Sequence, residues 1–136
     1  MSVVDNALQA LFQMAHKELL WQNASPTSNF PAQTIAINDM SAYDFFVIES
    51  YWSTSRLNQT VTFLYKESSD TTAKMQHTYN FSSASTMGMA IRNATIVSDG
   101  IEFEQCLTKA MASSGTPTSV YASTWQIPYR IYGGKF

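Results

Sequence analysis

The first residues of the chain carry apolar side chains at helical spacing. Residues 3–20 place them on one face with a period of 3.6, while glutamine, histidine and lysine occupy the opposite face. Ser2 and Asp5 supply a capping pair at the start of this segment. Such a helix is marginal alone in water, so its apolar face needs a partner, either the chain's own sheet or copies of itself. The predicted apolar face consists of Val4, Leu8, Leu11, Phe12, Ala15 and Leu19.

The pattern changes after a connector at 21–32, which contains two prolines and several Asn, Ser and Thr residues. From there on, apolar and polar residues alternate with the period of two that is typical of strands. The segment 43–52 differs because it is apolar on both faces, which predicts a strand that is buried on both sides. Ser98-Asp99-Gly100 has the composition of a hairpin turn. The predicted strands are 33–38, 43–52, 61–66, 74–81, 87–97, 101–107, 120–127 and 129–132.

About eight short strands without intervening helices predict a mainly β protein. We expect an antiparallel β-sandwich, jelly-roll-like in its connections, preceded by one short N-terminal α-helix. The expected organisation is a helix at 1–20 that serves assembly or docking, followed by a β-sandwich module at 21–136. A chain of this length fits a single core.

Charged residues make up 13% of the chain, about half of the usual share of roughly 25%. The net charge of −2 and the scattered Lys and Arg leave no basic stripe, which argues against nucleic-acid binding. No apolar run approaches the roughly 20 residues that cross a bilayer, so membrane insertion is not predicted. Few charges together with 13% aromatic residues indicate that a partner covers part of the surface.

The inventory of reactive side chains is small. Cys106 is the only cysteine, which excludes an intrachain disulfide and fits a reducing cytosol, and His16 and His77 are the only histidines. No phosphate-binding, nucleophile-elbow or zincin motif occurs. Glu102 and Glu104 lie two apart and resemble a carboxylate pair, but an amphipathic strand with a solvated face explains them more simply. The sequence predicts neither an enzyme, nor a cofactor, nor a metal site.

Aromatic residues and arginine near strand ends are the candidates for surface binding, because such residues dominate interaction hot spots. They lie beside polar loops, where they could stack on sugars or contact proteins. A role in the core or between subunits is the alternative, since they alternate with other apolar residues. The candidates are Tyr51, Trp52, Arg56, Tyr121 and Trp125.

The stretch LWQNASPTSNFPAQTI, from Leu20 to Ile35, resembles the "LW-x-N-x-SPTS-x-F-x-AQT" opening of a β-rich C-terminal module. This module occurs in tail-fibre, baseplate and head-fibre proteins of phages and prophages of Gram-positive bacteria. The segment SAYD at 41–44, which precedes an apolar strand, resembles the module's second segment, and SDGIEF at 98–103 resembles its turn and following strand. IPYRIYG at 127–133 resembles its "IP-x-x-IYG" ending, so the resemblance covers about 20–134.

The resemblance implies a virion protein, made in the host cytoplasm, that works as a homo-oligomer, commonly a trimer. Its implied partners are other virion proteins of the capsid, collar, tail or baseplate, and a glycan or protein of the host cell surface. It carries over no catalytic residue. The short helix before the module would then be an attachment peg, with the apolar faces of several copies meeting at a common axis.

Three functions remain open on the sequence alone. The first is a virion appendage module for assembly and host-surface attachment. The second is a capsid-decorating or head-fibre protein that fastens and stabilises the shell. The third is a carbohydrate-binding or carbohydrate-acting domain, which would need a cleft lined by Trp52 or Trp125 with Glu102 and Glu104 facing it.

Overall fold

A computed structural model of the chain describes residues 2–8, 17–55, 59–66, 72–80, 86–112 and 118–136. These residues form a short helix, α1 (3–8), a 3-10 turn at Met40–Ala42, and ten strands. The strands are β1 (Glu18–Gln22), β2 (Gln33–Ala36), β3 (Phe45–Ser53), β4 (Gln59–Tyr65), β5 (Thr72–Asn80), β6 (Thr86–Val97), β7 (Gly100–Phe103), β8 (Cys106–Ala112), β9 (Thr118–Ala122) and β10 (Trp125–Gly134).

The strands form two antiparallel sheets, which confirms the predicted mainly β, sandwich-like fold with a short N-terminal helix. One sheet has the order β1-β10-β3-β4, so the first and last strands of the chain are neighbours. The other has the order β2-β7-β6-β8-β9, with β5 on the free side of β6. The Ser98-Asp99 turn joins β6 to β7 as a tight hairpin, as predicted. The core between the sheets contains Ile35, Phe46, Ile48, Leu64, Met75, Ala94, Ile101, Phe103, Ile127 and Ile131.

Strand β3 is buried on both faces, as its sequence predicts. Phe46 and Ile48 belong to the core between the sheets. Phe45 points to the outer side, where its ring stacks on Phe63 with centroids 5.0 Å apart and lies equally close to Phe136. Aromatic contacts therefore cover the outer face of this sheet where another protein would carry polar residues.

The predicted helix at 3–20 is correct at its start and wrong at its end. The Ser2 Oγ donates to the Asp5 carboxylate at 2.7 Å and accepts the Asp5 N–H at 3.1 Å, which is the reciprocal cap expected of this pair. Residues 18–22, however, form β1, and Leu19 pairs with Tyr132 of β10. Leu19 therefore does not belong to a helix face, and 18–20 belong to the sandwich. Leu11, Phe12 and Ala15 lie outside the described residues.

Three predicted strand boundaries were also wrong, and one of them is that of 120–127, which is divided between β9 and β10 at residues 123–124. The segment 101–107 is divided between β7 and β8, because Glu104 leaves the ladder and its N–H donates to the Asn93 carbonyl at 3.0 Å. The predicted break at Pro128 is absent, and β10 continues through it. A β-bulge follows immediately, between Pro128 and Arg130, and bulges are among the few places where a sheet accepts proline.

A fully buried arginine connects the two sheets. Arg92 lies on β6, and its Nε and Nη2 donate to the carbonyl oxygens of Gln126 and Trp125 in β10 at 2.9 and 3.0 Å. Its Nη1 donates to the Glu104 carbonyl at 2.6 Å. Burial lowers the pKa of Arg92 to about 10, so the side chain remains a cation at neutral pH. Burial likewise raises the pKa of the neighbouring Cys106 thiol to about 11.

Candidate binding site

The structure describes four of the five predicted surface residues and does not bring all four together. Tyr51 and Trp52 are consecutive in β3 and therefore direct their rings to opposite sides of the sheet. The Trp52 ring packs against Trp125 with centroids 4.8 Å apart. Tyr121 is 67% exposed on β9, in the other sheet. Arg56 lies outside the described residues. Tyr51 lines a cavity.

That cavity has a volume of about 520 Å³ and opens on the surface near the middle of β10. Its aromatic wall is a pair of tyrosines, Tyr51 and Tyr129, whose ring centroids are 4.2 Å apart and whose planes differ by 14°. The Arg130 guanidinium lies 5.2 Å from the centre of the Tyr129 ring. We call this cavity the tyrosine pocket. It is lined by Gln22, Asn23, Ala24, Pro26, Tyr51, Tyr129 and Arg130.

The bulge in β10 builds the aromatic wall. The register between β10 and β3 shifts between Pro128 and Arg130, so Tyr129 is the extra residue of the bulge. Because a bulged residue is released from the alternation of the strand, Tyr129 can stack on Tyr51 while Arg130 still pairs with Glu49. Bulges of this kind commonly redirect a side chain beside a functional site.

Asn23 holds the bulge in place. Its backbone N–H donates to the Tyr129 carbonyl at 2.8 Å, and its side-chain Nδ2 donates to the Pro128 carbonyl at 3.0 Å. Its Oδ1 accepts the Ser25 N–H at 2.8 Å, which turns the chain directly after β1. One asparagine therefore satisfies the carbonyls of the bulge and also shapes the connector that forms the opposite wall of the pocket.

The charges beside the pocket are mostly balanced. The Arg130 guanidinium is 3.6 Å from the Glu49 carboxylate, and the Lys17 ammonium is 3.9 Å from its other oxygen. Lys17 also lies 4.3 Å from the centre of the Tyr132 ring. Burial, together with the Glu49 carboxylate, raises the pKa of Tyr129 to about 12, so its hydroxyl is neutral in the physiological range. The pocket therefore presents the neutral Tyr129 phenol and a guanidinium that is already paired.

The carboxylates singled out in the sequence are not arranged as one strand face. Glu102 is exposed in β7, whereas Glu104 has left the strand and its carboxylate accepts the Asn93 amide at 2.8 Å. The side chain of His77 and all of His16 lie outside the described part of the structure. Within the residues that the structure describes, no three His, Cys, Asp or Glu side chains cluster so as to hold a metal ion.

Several residues of the tyrosine pocket were not among the predicted candidates. Gln22, Asn23 and Pro26 come from a segment interpreted as a connector, and Tyr129 and Arg130 from a short strand without special features. One signal did point to them. All five fall within the stretches 20–35 and 127–133 that carry the resemblance to the phage module.

The scan against protein-family models, the search of curated proteins and the search of solved structures each found no match for this chain. Among the helical residues that the structure describes, no segment is long and apolar enough to cross a membrane.

Proposed function

We propose that the chain is a non-enzymatic structural module of a bacteriophage particle, which assembles as a homotrimer through its N-terminal helix and attaches to a host surface through its β-sandwich. In this role the helix contacts other copies and a neighbouring virion protein of the capsid, collar, tail or baseplate. The sandwich presents its outer surface and loops to a glycan or protein of the host.

The observation that carries the assembly part of this proposal is the exposed apolar face of α1. Val3, Val4 and Leu8 are 85%, 66% and 60% exposed in the single chain, although the Ser2–Asp5 cap gives the helix a well-defined start. A helix of this length gains too little from its own hydrogen bonds to persist in water. Its apolar side chains gain stability when several copies bury them against one another.

The positions of the motif residues give further support. The opening and closing motifs lie side by side, because β1 pairs with β10. Tyr43 of the second motif packs so closely on Gly133 that an added Cβ there would lie 2.6 Å from the tyrosine ring. The next residue, Asp44, donates its N–H to the Gly134 carbonyl at 2.8 Å. Residues that are distant in the sequence thus form one continuous part of the sandwich, as expected of the determinants of a shared module.

The first test of the proposal is the mass of the protein in solution. We expect the full chain to have about three times the 15.2 kDa mass of one chain by light scattering. A variant that begins at Lys17 keeps β1 and should be a folded monomer. Leu8→Asp should also dissociate the trimer, because it places a charge in the apolar helix contact. Asn6→Asp adds the same charge at another exposed position of α1 and is the matched control.

A monomeric full chain would contradict the assembly role of the helix. A trimeric chain whose mass is unchanged by the Leu8→Asp substitution would show that the sandwich, and not α1, holds the copies together.

The second test concerns the particle. Antibodies against the sandwich should label purified particles of a phage that encodes this chain, when the particles are viewed by immunogold electron microscopy. Labelling confined to the tail tip or baseplate is expected for an attachment module. Regular labelling over the shell would replace attachment by the decoration function, and unlabelled particles would contradict a virion role altogether.

A further inference from the structure

We infer that the tyrosine pocket is a binding site for a neutral glycan, which contacts the ring of Tyr51 with the apolar face of one sugar. The inference rests on the attachment role proposed above and deepens it, because it names the ligand class and the residues that would recognise it. Its evidence is the chemistry of the pocket and does not depend on the oligomeric state.

The first step of the argument is the combination of surfaces in the pocket. A pyranose ring has one face of C–H groups and a rim of hydroxyls, so it needs an aromatic surface next to hydrogen-bonding side chains. The pocket offers both, with Tyr51 and Tyr129 on one wall and Gln22 and Arg130 beside them. The volume of the pocket, about 520 Å³, lies within the common range of small-molecule sites, roughly 300–1,000 Å³.

The second step is the charge balance, which favours a neutral ligand. Among the described residues that line the pocket, Arg130 is the only cation, and Glu49 already lies 3.6 Å from it. An anionic ligand would compete with this carboxylate and bring its own charge close to it. A hydroxyl can instead accept a hydrogen bond from the guanidinium without displacing the carboxylate.

The third step is rigidity. Both tyrosines stand on paired strands, and the bulge that presents Tyr129 is fixed through two hydrogen bonds from Asn23. A stacked aromatic surface that exists before binding loses little conformational entropy when a sugar docks on it. Asn23 is therefore a positioning residue, because its hydrogen bonds go to the backbone of the bulge.

The test is a titration of the full chain, labelled with ¹⁵N, with the neutral oligosaccharides maltotriose, cellotriose, lactose and tri-N-acetylchitotriose. At least one of these should shift the backbone amides of residues 22–25, 51, 129 and 130. Tyr51→Ala should weaken the affinity by about tenfold or more, because it removes the stacking surface. Tyr51→Phe should retain it. Tyr121→Ala removes an exposed tyrosine on β9 and should leave the affinity unchanged.

Two outcomes would overturn the inference: none of the four sugars shifts these amides, or a sugar binds with equal affinity to the wild type and to a folded Tyr51→Ala variant. A proline-rich peptide that shifts the same amides, in the absence of any sugar effect, would assign the pocket to protein recognition instead. If a sugar binds to a monomeric protein, the assembly proposal fails while the glycan site stands. If the protein is a trimer that binds none of the sugars, the glycan site fails while the assembly proposal stands.

Discussion

Replacing Arg92 with methionine should lower the free energy of unfolding by about 3 kcal/mol, one of the two strongest effects that we expect from single substitutions. Methionine fills a similar volume but donates no hydrogen bond. Three carbonyl groups would then lose their donor, those of Trp125, Gln126 and Glu104. An unsatisfied buried polar group costs about 1–3 kcal/mol, so the combined penalty is large for a domain of this size.

A second effect acts in the opposite direction. Burial lowers the pKa of Arg92, because the buried cation has lost its hydration, and this loss costs free energy. Removing the charge recovers the free energy that desolvation of the cation costs. For this reason buried ionic groups are sometimes replaced by apolar ones without loss of stability. In this case three acceptors remain behind, two of them in the opposite sheet, so we expect the lost hydrogen bonds to outweigh the recovered desolvation.

Urea unfolding followed by tryptophan fluorescence measures the change, and Arg130→Met is the matched control. Arg130 is half-exposed and its pairing with Glu49 reaches the surface, so the same substitution there should change stability by no more than about 1 kcal/mol. Arg92→Lys should be intermediate, because one ammonium cannot reach three carbonyls that a planar guanidinium satisfies together. If Arg92→Met unfolds at the same urea concentration as the wild type, Arg92 does not hold the sheets together.

The sequence predicted the sandwich because its information on strands is local. Alternation identified most strands, and four consecutive apolar residues, Phe45 to Ile48, correctly indicated burial on both sides of β3. The Ser98-Asp99 turn was likewise visible as a two-residue hairpin loop. These features depend only on neighbours along the chain, and a single sequence displays them directly.

The errors occurred where pairing with a strand that is distant in the sequence decides the secondary structure. Leu19 fits the helical spacing of the preceding residues, yet it lies in a strand because it pairs with β10. The end of β7 is fixed by Asn93, a residue of β6 about ten positions away. A window of the sequence contains no information about which distant segment will lie alongside, so tertiary pairing overrode the local pattern in both cases.

The candidate site was less predictable than the fold for the same reason. The tyrosine pocket joins residues 22–26, residue 51 and residues 129–130, which only the β1-β10-β3 order brings together. Arg92 gave no signal either, since an arginine in a strand is normally assumed to lie at the surface. Tyr51 was predicted because it is an aromatic residue near a strand end. The position of the Tyr129 ring depends on a bulge that no sequence pattern indicated.

Replacing Gly100 with alanine should destabilise the protein by about 3 kcal/mol, even though the change adds only one methyl group. Gly100 is buried at the start of β7, where it pairs with Val97 of the hairpin and with Ala36 of β2. A Cβ at this position would overlap the backbone carbonyl oxygen of Ile35. A flexible side chain could move away, but this oxygen belongs to a strand that is fixed in the ladder.

A glycine-to-alanine substitution also has a stabilising effect, which acts through the unfolded chain. Alanine restricts the unfolded chain more than glycine does, which stabilises a protein by about 0.4–1 kcal/mol where the native site accommodates the methyl group. At Gly100 the backbone overlap forces β2 away from β7, and the hydrogen bond from the Ile37 N–H to the Asp99 carbonyl, 3.0 Å long, would be stretched as well. The steric cost therefore exceeds the entropic gain.

Urea unfolding gives the size of the effect, and hydrogen exchange gives its location. The amides of 35 and 37 should lose protection in the Gly100→Ala variant, while those of β3 and β10 should change only with global stability. Ser98→Ala alters an exposed residue of the same hairpin and should stay within about 0.5 kcal/mol of the wild type. A Gly100→Ala variant that is more stable than the wild type would mean that β2 moves freely against β7. The close contact between Gly100 and the Ile35 carbonyl would then not restrict which residue can occupy position 100.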